Sequence, residues 1–398
     1  MQIETNYKKV EEVLTRGVEK VINLNHLRKR LLSGRKLRIK HGIDPTGPKI
    51  HIGRATQLWK LKDFQELGHK IILIIGDFTA QIGDASDKQA MRRPLTAKEV
   101  KENMKDYIKQ IGKILDIKKV EIHYNSEWLS KLTIKKLLNL AMNFTAQQTI
   151  QRRNFKERWE RGKPIGLHEL AYPLLQGYDS VAVKADVELG GFDQLFNLKA
   201  GRDIQKIFGQ ESQDIMTLKM LFGLDGRKMS TSWGNVINIT DKSEEQFGKI
   251  MSMKDELILD YFELCTRIPL EEIKKMGKEL KKNQINPRDL KLKLAREIVR
   301  LYHGKKAAKR AEKEFRRVFE RKELPSRIPN ISIKVKKLNI LNLLVETKLT
   351  SSKSEAKRLI LQKAVKINGV LKENWQEIIE IKNGMVIQVG KRRFRKVV

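Results

Sequence analysis

Two short stretches of this chain carry residue types suited to handling a nucleoside triphosphate. The first is His51-Ile52-Gly53-Arg54, placed after the breaker-rich loop Asp44-Pro45-Thr46-Gly47-Pro48. A loop entering a helix there offers free N–H groups and the positive end of the helix dipole to phosphate. Gly53 lacks a side chain, so an adenine ring can lie against the backbone. His51 can donate a hydrogen bond to charge developing on a phosphoryl group. The second stretch is Gly226-Arg227-Lys228-Met229-Ser230-Thr231-Ser232. Lys228 is a mobile point charge on a glycine-flanked loop, and the three hydroxyls after it can reach triphosphate oxygens. Taken singly, each has a plain alternative: a structural histidine in one case, an exposed basic turn in the other.

The elements that hold these stretches follow from periodicity. Leu37 to Ile43 reads as a short strand. Arg54 to Leu67 reads as helix, with Leu58, Leu61, Phe64 and Leu67 recurring along it. Lys70 to Gly76 reads as a strand covered on both faces. This βαβ unit predicts an α/β fold with a doubly wound parallel sheet. Residues 4–32 read as helix, 97–115 as helix, Val120 to Tyr124 as strand, 133–160 as helical, Ser180 to Leu189 as strand-like and Gln194 to Phe208 as helix. Thr240 to Phe319 is helical nearly throughout, and Pro325 to Pro329 marks a linker. The tail has two short helices, Asn339 to Glu346 and Lys353 to Lys363, then strand-like stretches with hairpin signals at Asn368-Gly369 and Asn383-Gly384. The expected organisation is a Rossmann-like domain with a helical insertion over 1–235, an α-helical domain over 236–328 and a small α+β domain over 331–398.

Composition bounds the partners. The 398 residues leave room for two or three domains. Lys and Arg number 82 against 48 Asp and Glu, a net charge of +34. That points to a polyanion, with nucleic acid first, although a generally lysine-rich composition is the alternative. Residues 271–398 hold 36 basic and 14 acidic residues, a net of +22, so most of the excess lies in the last third. A single cysteine, Cys265, excludes an internal disulfide framework and a cysteine-rich zinc site and fits a reducing cytosol. The longest apolar run, Ile71 to Ile75, is far short of the roughly 20 residues that span a bilayer. Met1-Gln2-Ile3-Glu4 opens no signal-peptide pattern. The expected location is cytoplasmic, with no membrane partner.

With the two stretches in this order at the ends of one α/β region, the chain resembles the class I aminoacyl-tRNA synthetases. Tyr172-Pro173-Leu174-Leu175-Gln176-Gly177-Tyr178-Asp179 adds a Tyr-x-x-x-Gln-x-x-Asp spacing that puts three polar groups on one helical face. Gly190-Gly191-Phe192-Asp193-Gln194 follows. Both are similar to the amino-acid and ribose segments of the tyrosyl-tRNA synthetases, and the likeness covers nearly the whole chain. It implies activation of tyrosine with ATP, transfer of tyrosyl to the 3′ end of a tyrosine tRNA, and a homodimer formed through residues 97–160. Mg2+ would arrive with ATP, with no tightly bound cofactor and no metal site. Residue by residue, the resemblance gives Asp179 the substrate phenol. Asp84, Tyr172 and Gln176, with Thr79 nearby, take the ammonium, and Gln194 lies beside the reacting carboxylate. Gly191 and Asp193 take the ribose. Asp44, Thr46, His51 and Gly53 lie on the ATP side. Lys228 is the mobile-loop lysine, joined by Ser230 and Ser232. His51, Arg54, Thr46 and Lys228 make up the catalytic group. A buried acceptor for a phenol rejects phenylalanine by a factor on the order of 10⁴ to 10⁵, as this family itself illustrates.

The tail resembles the small RNA-binding module first known from a ribosomal protein, and region 236–328 would then read the anticodon. The matching runs are Ser351-Ser352-Lys353-Ser354-Glu355-Ala356-Lys357-Arg358-Leu359-Ile360, Val365-Lys366-Ile367-Asn368-Gly369 and Val389-Gly390-Lys391-Arg392-Arg393. Lys353 and Lys357 share a helix face, with Arg358 adjacent.

Three positions depart from the family pattern. Arg54 stands where histidine is usual, and arginine can still contact phosphate. Lys40 stands where one branch has a phenol-binding tyrosine and is not assigned to substrate. Phe192 fills a position commonly held by a small residue. No phosphate-loop, His-Glu-x-x-His or Gly-x-Ser-x-Gly pattern is present, and Cys265 reads as core. The alternatives are a tryptophanyl-tRNA synthetase, a small-molecule nucleotidyltransferase, which leaves the basic C-terminal third unexplained, and an RNA-binding protein that has lost catalysis through Arg54.

Overall fold

The computed structural model describes residues 2–84, 94–151, 153–229, 233–321, 323–326, 328–390 and 393–398, apart from the side chains of Arg153 and Asn154. Ser230, Thr231 and Ser232 of the lysine loop, and Lys391 and Arg392 of the tail, therefore lie outside the described residues. The chain forms two compact units, Met1–Lys309 and Arg310–Val398.

The first unit is built on a six-stranded sheet of β1 (Val18–Ile22), β2 (Arg38–Ile43), β3 (Lys70–Ile75), β4 (Val120–Tyr124), β5 (Val187–Gly191) and β6 (Asp214–Leu218). Their order is β1-β6-β5-β2-β3-β4. The strands from β2 to β6 run parallel, and β1 adds an antiparallel edge. The five apolar side chains of β3 are all buried, as a central parallel strand requires.

In chain order the helices are α1 (Tyr7–Thr15), α2 (Leu24–Leu32), α3 (Ile52–Glu66), α4 (Thr79–Ile82), α5 (Ala97–Met104), α6 (Tyr107–Ile111), α7 (Ser126–Leu129), α8 (Ile134–Ala141), α9 (Ala146–Ile150), α10 (Arg153–Glu160), α11 (Leu167–Ala182) and α12 (Leu195–Ile207). Then come α13 (Ser243–Met251), α14 (Ile258–Cys265), α15 (Leu270–Lys281) and α16 (Pro287–Phe315), the last broken at Gly304.

Two glycines bring α11 onto α12. A Cβ at Gly177 would lie 2.6 Å from Ile204 Cδ1, and one at Gly201 would lie 3.0 Å from Ser180 Oγ. Cys265 is buried in α14, as its apolar surroundings predict.

In the first unit the structure departs from several local expectations. Residues 4–32 are helix, strand, helix rather than one helix. Gly17 and Asn23 adopt φ of 61° and 62°, which interrupts the helical hydrogen bonding, and β-branched Val18, Val21 and Ile22 between them pair with β6. The Ser180 to Leu189 stretch is divided: α11 runs on to Ala182, and β5 starts only at Val187 after Lys184 turns at φ 50°. Packing of the α11 polar face overrides the β-branched composition there. Residues 133–160 form three short helices, two of them started by the N-caps Thr133 and Thr145.

The second unit holds β7 (Asn330–Ile331), β8 (Lys337–Asn339), α17 (Ile340–Glu346), α18 (Lys353–Leu361), β9 (Val365–Ile367), β10 (Val370–Leu371), β11 (Ile378–Glu380), β12 (Val386–Val389) and β13 (Arg393–Val397). One sheet runs β10-β9-β12-β13-β7, and β11 pairs with β8. Its core gathers Ile340, Leu343, Leu344, Ala356, Ile360 and Ile387. Asn368 and Gly369 turn the β9–β10 hairpin at φ 48° and 81°, as a two-residue turn requires. Asn383-Gly384 makes no hairpin, because it joins β11 to β12 in different sheets. The Pro325 to Pro329 stretch falls inside this unit: Ser326 N donates to Glu314 Oε1, and Lys396 N donates to the Pro329 carbonyl.

Candidate active site

The sheet grows from β2 through β3 and β4 on one side and through β5 and β6 on the other. Between β2 and β5 the connecting loops diverge, and open α/β sheets bind ligands in the crevice this leaves at the carboxyl ends of the strands. A cavity of about 500 Å³ opens there. Asp44 and Thr46 reach it from beyond β2, and Thr79 and Asp84 from beyond β3. Gly191, Asp193 and Gln194 reach it from the end of β5, and Tyr172, Gln176 and Asp179 from α11. His51, Gly53 and Arg54 enter from the start of α3, and Lys228 from the loop after β6. Every described residue expected to meet tyrosine or ATP lines this one cavity. Phe192, one of the departures, also lines it and is exposed.

Asp179 is buried and accepts hydrogen bonds from Trp128 Nε1 at 2.8 Å and Asn125 Nδ2 at 3.4 Å. Burial pushes its carboxyl up to about 7. Lys40 and the two donors pull it back, and Glu188 adds to the rise. A carboxylate has about four acceptor positions, so two donors leave it able to take a phenol proton donor as well.

One helical turn up the face, Gln176 Nε2 donates to Glu188 Oε1 at 3.2 Å. A further turn along, the Tyr172 hydroxyl donates to Asp44 Oδ2 at 2.9 Å, while Thr79 Oγ1 donates to Asp44 Oδ1 at 2.8 Å. Burial, then the charges of Asp44 and Asp84, raise the Tyr172 phenol well above its ordinary value, so it stays a donor. Gly76 makes this junction possible: a Cβ there would lie 2.0 Å from Asp44 Oδ1 and 2.4 Å from Thr79 Oγ1. Gln194 Nε2 donates to Asp84 Oδ2 at 2.6 Å.

On the opposite side His51 caps α3, with Nδ1 accepting from Arg54 N at 3.3 Å. Burial and then the Arg54 charge push its imidazole down to about 3. It is therefore neutral, and the cap places its proton on Nε2, leaving an uncharged N–H donor. The segment carrying it is clamped on both sides, by Ile52 N to the Ile237 carbonyl at 2.8 Å and by Ile239 N to the Ile50 carbonyl at 2.9 Å. A Cβ on Gly53 would lie 3.0 Å from Met229 Sδ, so any larger residue here would press on the methionine that follows Lys228.

Arg54 reaches Tyr107 Oη at 2.8 Å, the Asp44 carbonyl at 3.4 Å and Thr46 Oγ1. These contacts fasten the loop after β2, a task the sequence did not suggest. Lys40 is equally plain: its fully buried ammonium is used on Glu188 Oε1 at 2.8 Å, Ser180 Oγ at 2.7 Å and the Gln176 carbonyl at 3.0 Å.

Sequence reasoning missed Asn125, Trp128, Glu188, Asn197, Gly76 and Tyr107. Only Glu188 carried a signal, a charge between apolar residues in a strand covered on both faces. In the second unit Lys353, Lys357 and Arg358 are exposed on α18, and the Lys357 ammonium lies 3.9 Å from the centre of the Trp375 ring. Among the described residues, no three His, Cys, Asp or Glu side chains converge as a metal site, and no helix is long and apolar enough to cross a membrane.

Known proteins match at every level. Residues 32–320 fit the family model for class I tRNA synthetases (W and Y). Residues 320–397 fit the tyrosine–tRNA ligase SYY-like C-terminal domain. The tyrosine–tRNA ligase of Moorella thermoacetica is 45% identical over 100% of this chain and 97% of its own. That of Thermotoga maritima is 46% identical over 97% of this chain and 96% of its own. Among solved structures, the Archaeoglobus fulgidus tyrosyl-tRNA synthetase complexed with L-tyrosine has a TM-score of 0.61 at 25% identity, covering 77% of this chain and 100% of that one. A truncated Aspergillus nidulans mitochondrial tyrosyl-tRNA synthetase shares the fold, with a TM-score of 0.64 at 22% identity, 78% of this chain and 94% of that one. A cavity at the switch point of the sheet and matches that run the length of the sequence lead to one conclusion: the chain belongs to the class I tRNA synthetases, in the tyrosine–tRNA ligase family.

Proposed function

We propose that the cavity holds L-tyrosine and Mg2+–ATP together and joins them as tyrosyl-adenylate, from which tyrosyl passes to the 3′ end of a tyrosine tRNA. The observation that carries this reading is Asp179, a buried carboxylate on the cavity wall, fixed by Trp128 and Asn125 with acceptor capacity to spare. Nothing apolar would require it, whereas a substrate phenol would.

In the first step a carboxylate oxygen of tyrosine attacks the α-phosphorus of ATP. The bond from that phosphorus to the bridging oxygen breaks, and pyrophosphate leaves. The nucleophile is already ionised, so the protein supplies position and charge stabilisation. Asp84, Gln176 and Tyr172 take the ammonium, and Gln194 lies beside the carboxylate. Asp193 and Gly191 take the ribose, and Asp44 joins the two substrate sides. His51 donates a neutral N–H to the phosphates beside the N-terminus of α3. Lys228, with Ser230 and Ser232, meets the triphosphate, and Arg54 with Thr46 keeps the loop in place. In the second step a hydroxyl of the terminal tRNA ribose attacks the tyrosyl carbonyl and AMP leaves.

Division of labour follows the proposed domains. Residues 1–235 carry the chemistry, 236–328 read the anticodon, and 331–398 grip the tRNA backbone through Lys353, Lys357 and Arg358, by shape and charge. Two copies meet through the region of α8, where Ile134, Leu138 and Met142 follow at four-residue spacing and are 77%, 59% and 83% exposed. The enzyme works in the cytoplasm, where ATP and tRNA are available. The test is pyrophosphate exchange dependent on tyrosine. The parent protein should exchange with tyrosine and not with tryptophan or phenylalanine, and Asp179→Ala should abolish exchange or relax its discrimination against phenylalanine. Unchanged discrimination in that variant would mean the phenol lies elsewhere.

A further inference from the structure

Along the cavity wall and behind it runs a chain of hydrogen bonds that ends on the groups proposed to hold the substrate ammonium. Lys40 Nζ meets Glu188 Oε1 at 2.8 Å. Gln176 Nε2 donates to the same oxygen at 3.2 Å. Asn197 Nδ2 donates to Gln176 Oε1 at 3.1 Å and to Gln194 Oε1 at 2.9 Å. Gln194 Nε2 then donates to Asp84 Oδ2 at 2.6 Å. Lys40, Glu188 and Asn197 are all buried.

The direction of each bond matters more than its length. An amide side chain has a donor end and an acceptor end of nearly the same shape, so burial alone does not choose between them. Here the choice is forced. Glu188 only accepts, which pins the nitrogen of Gln176. Asn197 donates both its protons, which pins the oxygens of Gln176 and Gln194. Glu188 is itself fixed. Its Oε2 accepts from Ser180 Oγ at 3.1 Å and from Gln213 Nε2, and the three protons of Lys40 find Glu188, Ser180 and the Gln176 carbonyl. Tyr172 meanwhile directs its proton to Asp44, which leaves its oxygen as an acceptor. An ammonium has three donors and no acceptor, so a site for it needs oxygens presented and amide nitrogens turned away.

We infer that Glu188 and Asn197 are positioning residues for the substrate ammonium, acting through the amide orientation of Gln176 and Gln194. The inference rests on the assignment of Gln176 to the ammonium. Neither residue needs to touch tyrosine.

The test compares L-tyrosine with 3-(4-hydroxyphenyl)propanoate, the same molecule without its ammonium, as a competitive inhibitor of tyrosine-dependent pyrophosphate exchange. Glu188→Gln frees Gln176 to turn over. Asn197→Asp faces the Gln176 and Gln194 oxygens with an acceptor and leaves the Lys40–Glu188 pair intact, so a fold lost in the first variant does not remove the test. The expected result in the folded variants is a KM for tyrosine raised about tenfold or more, with the inhibition constant of the des-amino analogue unchanged within about twofold. Tyrosine and analogue weakened equally in both variants, or neither weakened, would overturn the inference. Gln176→Ala separates the two levels. If it weakens tyrosine and the analogue equally, the ammonium assignment itself fails. If it acts on tyrosine alone while Glu188→Gln and Asn197→Asp do not, only the positioning role fails.

Discussion

The Tyr172 hydroxyl donates a hydrogen bond to Asp44 Oδ2 at 2.9 Å, fastening the middle of α11 to the loop that follows β2. One carboxylate thus joins the helix proposed to face tyrosine to the loop proposed to face ATP, and its other oxygen takes Thr79. Tyr172→Phe keeps the ring and removes the donor. A hydrogen bond to an ionised group contributes roughly 1.5–3 kcal/mol, so KM should rise about tenfold for tyrosine and also for ATP. Pyrophosphate exchange with both substrates varied reads this directly. A rise for tyrosine alone would show that Asp44 does not couple the two sides.

Asp179 sets a pH dependence. Its carboxyl is raised to about 7 in the folded protein, chiefly by burial, against roughly 3.9 in an unfolded chain. The ionised form is the better phenol acceptor, so kcat/KM for tyrosine should fall as pH drops below about 7 and level off above it. Asp179→Asn should flatten that limb. Stability follows the opposite sign. The folded state holds the proton more tightly, so this group's contribution falls as pH rises from about 4 to about 7 and stays low above that. Asp179→Asn should therefore compare better with the parent in melting temperature at pH 8 than at pH 4. An identical difference at both values would place the carboxyl outside that range.

Arg54 is bonded to Tyr107, the Asp44 carbonyl and Thr46 rather than standing free for phosphate. A histidine there is too short to span all three. Arg54→His should raise the KM for ATP about tenfold, with a smaller change for tyrosine. Tyr107→Phe removes one of the three contacts and should give a fraction of that effect. If Arg54→His matches the parent, the loop after β2 is held by the rest of its framework, and the arginine is replaceable.

Much of this site was readable because its residues sit at spacings that have one structural meaning. Tyr172, Gln176 and Asp179 share a helix face whatever surrounds them. His51 and Gly53 sit where a loop enters a helix, and β3 reads as buried along its whole length. The unread part depends on which chain segments meet. Asn125 and Trp128 stand ordinary in sequence, yet β4 and α7 bring them onto Asp179. Gly17 and Asn23 break an apparently continuous helix because the edge of the sheet needs a strand there. Lys40 and Glu188 lie far apart in the chain and become a pair only when β2 and β5 align. No periodicity within one segment can report a contact made between two.

The tail can be removed cleanly only at the right place. β7 at Asn330–Ile331 pairs with β13, and Pro329 accepts from Lys396, so a cut at residue 331 would leave an orphaned edge. The second compact unit begins at Arg310, within α16, and the matched C-terminal domain begins at residue 320. Truncation after Glu320 therefore removes the sheet and its core together. Every residue assigned to tyrosine or ATP lies between Asp44 and Ser232 and is retained, so tyrosine-dependent pyrophosphate exchange should stay within about twofold of the parent. The removed residues 321–398 carry 19 basic and 6 acidic residues, a net of +13. Each lost phosphate contact removes about 0.7–0.9 from the slope of log affinity against log salt. Charging of tRNA should weaken at physiological salt, and the salt dependence of tRNA binding should become shallower. Exchange and charging measured side by side over a range of salt concentrations decide the matter. Loss of exchange would make the tail part of the catalytic unit, and unchanged charging would assign its charge to a partner other than tRNA.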